Sequence, residues 1–358
     1  MMKRFLAIFP LLAVVVLVQL ATTWAGTQFY LTQMTMAAYY SLLIIGLCVL
    51  MGYAGQISLG HAGFFAIGGY LSAALTTHNL VPFKGAGLVR FLDALGVLQA
   101  GKDLYGAELL VVTPWAAAIF AVLVAALVAA LIGIPVLKLK GHYLAMATLG
   151  FGIIIYRLVL ATPWFGGADG LSGVPPFALL PGLTVSGEVA GRTQNYYIAW
   201  GVLVFGLFLL LNLMQSRVGR ALRAIHGSEE AADAMGVNIS RFKLQTFVLS
   251  AVFAAIAGVL LTHYNGGIGP SEAGVMKSVR YVAIVAVGGM AHLWGAMSMG
   301  VLLNFLSLRG VFGTYDDAVF GLILIVVMLF APDGVLSLVV RQKRQAARGG
   351  EASGKGEE

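Results

Sequence analysis

The sequence predicts an all-α, polytopic membrane protein of about ten transmembrane spans, interrupted by discontinuous glycine-rich segments. Composition comes first: 59% of the 358 residues are apolar and only 10% charged, where a soluble domain carries roughly 45–50% and about 25%. Mean hydropathy is +0.91. Second, apolar runs long enough to cross a bilayer alternate with short polar loops. Third, the cations are biased. Placing the loops alternately inside and outside puts fourteen of the 22 Lys and Arg on the cytoplasmic side, the sense the positive-inside rule requires.

The run at 5–20, preceded by Lys3 and Arg4, reads as a retained first helix, because Thr23-Trp24-Ala25 is a poor signal-peptide cleavage site. A second span is expected over 31–52. The next, GYAGQISLGHAGFFAIGGY at 52–70, is too glycine-rich for a continuous helix, and Gln56, Ser58 and His61 would be costly against lipid. Either this is a broken helix against protein or a water-filled path, or it is a short cytoplasmic turn. Residues 80–113 carry charges of both signs and read as an external loop with a surface helix over 89–99. Spans follow at 114–137, ending on Lys138 and Lys140, and at 142–164, which holds Arg157. An arginine there is either paired and functional or snorkels to the outer surface. Residues 165–176 form an external loop. Further spans are expected at 196–214 and 244–264, separated by a polar stretch and followed by an outer loop at 265–278. The apolar stretch 279–308 is too long for one span and reads as two, meeting at GGMAHLWG (288–295). The last span begins at 318. Residues 1–340 thus form one membrane domain and 341–358 a disordered cytoplasmic tail, with both termini inside.

The polar stretch at 215–243, with five cations, belongs in the cytoplasm. Within it Ser228 can cap a short helix, Glu229 and Glu230 suit its positive end, and Gly236 suits the left-handed residue that stops it. Ala231, Ala232 and Ala234 leave that helix thin enough for a partner's groove.

The chemistry is sparse. There is no GxxxxGK[ST], HExxH or GxSxG pattern, so nucleotide hydrolysis would fall to another subunit and no cofactor or metal is expected. Cys48 is the sole cysteine and reads as packing. The net charge of +7 lies in loops and tail, as membrane anchors rather than a nucleic-acid surface. Every Asp and Glu falls in a predicted loop, span end or tail, which disfavours an ion-coupled secondary carrier.

The spacing Glu230-Ala231-Ala232-x3-Gly236 resembles the EAA loop of ABC importer permeases. Together with 52–70, LKLKGHYLAMATLGFG (137–152), GGADGLSGVP (166–175) and 216–251, it makes the chain similar to the LivM-type permease of branched-chain amino acid ABC importers. The resemblance covers most of 31–337. It departs at 226–229, where the family commonly has R-E-D-E, and at 288–295, where it commonly has G-G-x-G-S-x-x-G. What it implies is a non-enzymatic subunit in a bacterial inner membrane, paired with a second permease, two cytoplasmic ATPases and a periplasmic binding protein. Residues Glu229, Glu230, Ala231, Ala232 and Gly236 would couple to the ATPase. Gly55, Gln56, Ser58, Gly60, His61, Thr148, Arg157, Gly288 and Gly289 are the pathway candidates. Import of urea or short amides by the same architecture, or a stand-alone carrier or channel, are the competing functions; a membrane enzyme has no residues to support it.

Overall fold

A computed structural model describes residues 2–84, 87–102, 106, 108–139 and 141–330. The expected cytoplasmic tail at 341–358, with its five cations, and the bend at 332–334 lie outside the described residues.

The chain is dominated by helices: α1 (Met2–Trp24), α2 (Phe29–Ala54), α3 (His61–Thr77), α4 (Gly87–Ala94), α5 (Pro114–Val136), α6 (His142–Ala161), α7 (Arg192–Gln215), α8 (Arg217–Gly227), α9 (Glu229–Ala234), α10 (Ile239–Asn265), α11 (Val275–Gly288), α12 (Leu293–Leu308) and α13 (Asp316–Phe330). Five of these, α2, α5, α6, α7 and α10, are long and apolar enough to cross a membrane. α3, α11, α12 and α13 are shorter, and the long stretch at 279–308 is divided between α11 and α12.

α2 is the axis. It is apolar all round, and from Ala37 to Gly52 every residue is buried, among α7, α10, α11 and α12. A helix without a polar face is stable only where protein or lipid covers every side. α3 and α10 cross on glycine. A Cβ on Gly258 would fall on the Phe65 carbonyl, and one on Gly68 would sit 2.7 Å from Ala255 Cα. In lipid such close backbone approach replaces the hydrophobic drive that water supplies elsewhere.

Two regions differ from the sequence reading. Residues 80–113 hold α4 and then a hairpin of β1 (Leu98–Lys102) and β2 (Glu108–Val112), with Leu98 opposite Val112. The expected helix stops early because Gly96 takes a left-handed conformation (φ 67°), and the Leu-Leu-Val-Val run of β2 suits a pleated pair. Four more short strands lie in the loops between helices: β3 (Leu171–Ser172) pairs β6 (Gly267–Ile268), and β4 (Phe177–Leu180) pairs β5 (Leu183–Val185). The fold is therefore mainly rather than wholly helical.

The stretch 265–278 is not a free outer loop. After β6 it folds inward as a short 3-10 turn, Pro270–Ala273, packed on α3 and α6. Glu272 thereby reaches Tyr40, near the middle of α2. Lys277 and Arg280 both lie in α11 and are paired: Lys277 with Glu272 at 2.9 Å, Arg280 with Asp316 at 2.7 Å and Asp317 at 2.8 Å. Local composition does not show a loop that turns back.

Candidate functional site: a polar island joined to a broken helix

The island is two helices between α7 and α10. α8 is strongly amphipathic, with Gly219, Leu222 and Ile225 inward. Gly219 lets it start directly on the end of α7, and the Arg223 guanidinium donates to Met214 O (3.1 Å) and Gly219 O (3.2 Å). Lone carbonyls at a helix C-terminus carry partial negative charge, so Arg223 closes that corner. α9 then begins as its residues dictate. Ser228 Oγ accepts from Ala231 N–H (3.2 Å), two carboxylates stand in the first turn, and Gly236 (φ 79°) turns the chain out. Lys243 Nζ, mostly buried in α10, donates to Glu229 Oε1 at 2.6 Å, tying the short helix to a span.

The faces of α9 are not equivalent. Ala232 is 3% exposed and turned into the chain. Glu230, Ala231, Asp233 and Ala234 are exposed, and beside them Met235 projects with 84% of its surface free. Ala232 is thus not on the open side. Glu229 and Asp233 also border a cleft of about 670 Å³ that Lys138 and Lys243 share.

Above the island, α2 stops at Ala54, Gly55 is left-handed (φ 65°), and no regular structure returns until His61. A Cβ on Gly55 would meet His226 Nδ1 of α8 at 3.2 Å, so the break starts on the island. It then climbs. Leu59 N–H donates to Thr148 Oγ1 of α6 (3.0 Å), and a Cβ on Gly60 would lie 2.6 Å from the Thr148 carbonyl. His61 is buried between Ser58 Oγ (3.1 Å) and Ser250 Oγ (2.7 Å), the latter near the middle of α10. Ala62 N–H donates to Ser278 Oγ of α11 at 3.1 Å. Gln56 is 2% exposed, yet neither end of its amide has a hydrogen-bond partner among the described residues.

The second glycine segment meets the first. Gly289 (φ 96°) ends α11, and Gly288 packs against the Ala296 backbone, where a Cβ would come within 2.6 Å of Cα. The Met290 carbonyl then lies where a Gly52 Cβ would be, and it accepts from Cys48 Sγ at 3.2 Å. Gly55, Gln56, Ser58, Gly60, His61, Thr148, Gly288 and Gly289 therefore belong to one continuous region. Arg157 does not. It is exposed on α6, and no ion pair forms there among the described residues.

Sequence reasoning passed over a further polar group. Tyr40 Oη donates to Glu272 Oε1 at 3.0 Å, and Lys277 Nζ lies 2.9 Å from the same oxygen and 4.9 Å from the Tyr40 ring centroid. The ring stacks on Phe65. Glu272 lies in a loop, as read, but that loop carries the carboxylate into the bundle. Its pairing with Lys277 leaves the pair without net charge. The only sequence signal was acid and base five apart beside a glycine-proline turn.

Comparison with known proteins follows the same lines. Residues 29–329 match the family described as branched-chain amino acid transport system / permease component. The chain is 30% identical to the high-affinity branched-chain amino acid transport system permease protein LivM of Salmonella typhimurium, across 89% of this chain and 72% of that one. It is 30% identical to LivM of Escherichia coli K12, across 89% and 73%. It is 29% identical to the permease protein BraD of Pseudomonas aeruginosa, across 85% and 93%. No solved structure matches.

Proposed function

Because the chain belongs to the branched-chain amino acid transport system permease family, we propose that it is one permease of an ATP-driven importer for leucine, isoleucine and valine. It sits in a bacterial inner membrane as about ten spans (α1, α2, α3, α5, α6, α7, α10, α11, α12, α13) with both termini cytoplasmic. A second permease completes the pathway, a periplasmic protein delivers substrate, and two cytoplasmic ATPases supply the energy. The pathway runs along the joined breaks at 52–63 and 288–295, lined by the eight candidates that meet there. Arg157 faces the lipid or the second permease.

One observation carries the reading: the capped helix α9 leaves Glu230, Ala231, Ala234 and Met235 exposed while Ala232 and Glu229 fix it to the chain. Lys243 ties Glu229 to α10, and His226 lies on Gly55 at the start of the break. A push on α9 therefore has two short routes to the spans. Glu230, Ala231, Ala234 and Met235 form the face that enters the ATPase; Glu229, Ala232 and Gly236 hold the helix in shape behind it.

The test is the complete transporter in proteoliposomes with its cognate ATPase and binding protein. Met235→Asp puts a charge on a side chain that is 84% exposed. It should lower recovery of the ATPase with the permease at least fivefold and abolish leucine-stimulated ATP hydrolysis, with permease insertion unchanged. Full recovery and full stimulation would reduce α9 to an ordinary loop helix.

A further inference from the structure

Resting on the import reading above, we propose that Glu272, Lys277, Tyr40, Tyr70 and Tyr281 form a recognition site for a zwitterionic α-amino acid. The group gathers residues from four places, α2, α3, the inward turn and α11, near the middle of α2 and α3. It holds one fixed negative and one fixed positive charge. It also holds more polar capacity than the chain uses. Glu272 Oε2, Tyr70 Oη and Tyr281 Oη are all buried with no hydrogen-bond partner among the described residues. The Tyr281 ring centroid lies 6.2 Å from that of Tyr40, and Tyr70 is buried in one cluster with Ala273, the neighbour of Glu272. Three buried polar atoms without partners on residues packed near one ion pair are unusual in a packed interior, where nearly all such atoms are satisfied.

The arrangement suits a ligand with both charges. Lys277 Nζ now occupies the place of a substrate ammonium, against the carboxylate and over the face of Tyr40. An α-ammonium entering there gains Glu272 and the ring, as cations do over aromatic faces. The displaced Lys277 receives the α-carboxylate, with the Tyr281 hydroxyl and the positive N-terminal end of α11 beside it. The site is neutral before and after the exchange. A lone cation or anion would instead leave a buried charge uncompensated, and urea or a neutral amide has no charge to exchange for either partner. The ion pair remains partly open, with Lys277 and Glu272 side chains 25% and 19% exposed, so a ligand has an edge to enter by. The apolar branch of leucine or valine would lie among Phe65 and the tyrosine rings.

Two variants of the complete transporter in proteoliposomes test this. Tyr281→Phe removes only a hydroxyl that has no hydrogen-bond partner among the described residues, so a purely structural role predicts no loss. Glu272→Gln with Lys277→Met removes both charges together and leaves neither unpaired. The readout is leucine carried per ATP hydrolysed, with saturating loaded binding protein. It should fall at least fivefold in Tyr281→Phe, and in the double variant wherever that complex is recovered, while ATP hydrolysis stays at the wild-type rate. Wild-type leucine per ATP in Tyr281→Phe overturns the site, whatever the double variant does. A wild-type complex that hydrolyses ATP but carries no leucine would instead sink the import reading, before any variant is compared.

Discussion

At residue scale the bundle depends on side chains that are absent. Gly258 has its missing Cβ on a backbone carbonyl of α3, an obstacle that cannot rotate away. Overpacking a core costs about 1–3 kcal/mol when side chains can shift, so Gly258→Val should exceed that and collapse the thermal stability of the detergent-purified protein. Gly201→Ala, on a helical position with nothing within 4 Å, should match or slightly exceed wild type, since alanine is favoured over glycine in helices by roughly 0.5–1 kcal/mol. Equal melting of the two variants would refute the close-crossing account. The glycines were visible in the sequence as packing material, but their partners were not. Nothing local in 60–70 says that α10 lies opposite, or that Gly60 meets Thr148 rather than lipid.

At the scale of one element, α9 shows what sequence reaches and what it misses. Ser228, the first-turn carboxylates and Gly236 act at short range, and their cap, dipole and turn are all present where the residue types place them. The orientation of the helix was not legible, because six residues of E, A and D carry no apolar stripe to declare an inner face. Lys243 and Glu229, fourteen residues apart in the chain, settle it. Ala232→Trp is therefore not a docking variant: it should distort the island itself, seen as faster amide exchange across 217–236 in the permease alone. Ser228→Ala should loosen α9 by the ~0.5–2 kcal/mol usual for a lost cap, with the faster exchange confined to 229–234. Unchanged exchange in Ala232→Trp would mean that the inward face is not packed.

For the whole molecule, apolar runs located the long helices α1, α2, α5, α6, α7 and α10 to within a few residues, whereas α8 was not foreseen and the path of the chain between helices was harder. Residues 265–278 looked like a loop because glycine, proline and charge mark loops. The same composition also permits a turn that folds back among helices, where other chain segments satisfy its backbone. The topology proposed above has a direct check. In a Cys48→Ala background, a cysteine at the exposed Val189 should react with an impermeant maleimide from the outside of intact cells, and one at Met235 only after the cytoplasmic side is opened. Outside labelling of Met235 would invert the arrangement.

Gly52 gives the molecule a property no single helix has. With only hydrogen where a side chain would stand, the end of α2 rests directly on the Met290 carbonyl. A few residues further on, the same strand of chain rests on His226. Within four residues, Gly52 to Gly55, the same break thus touches both the second glycine segment and α8.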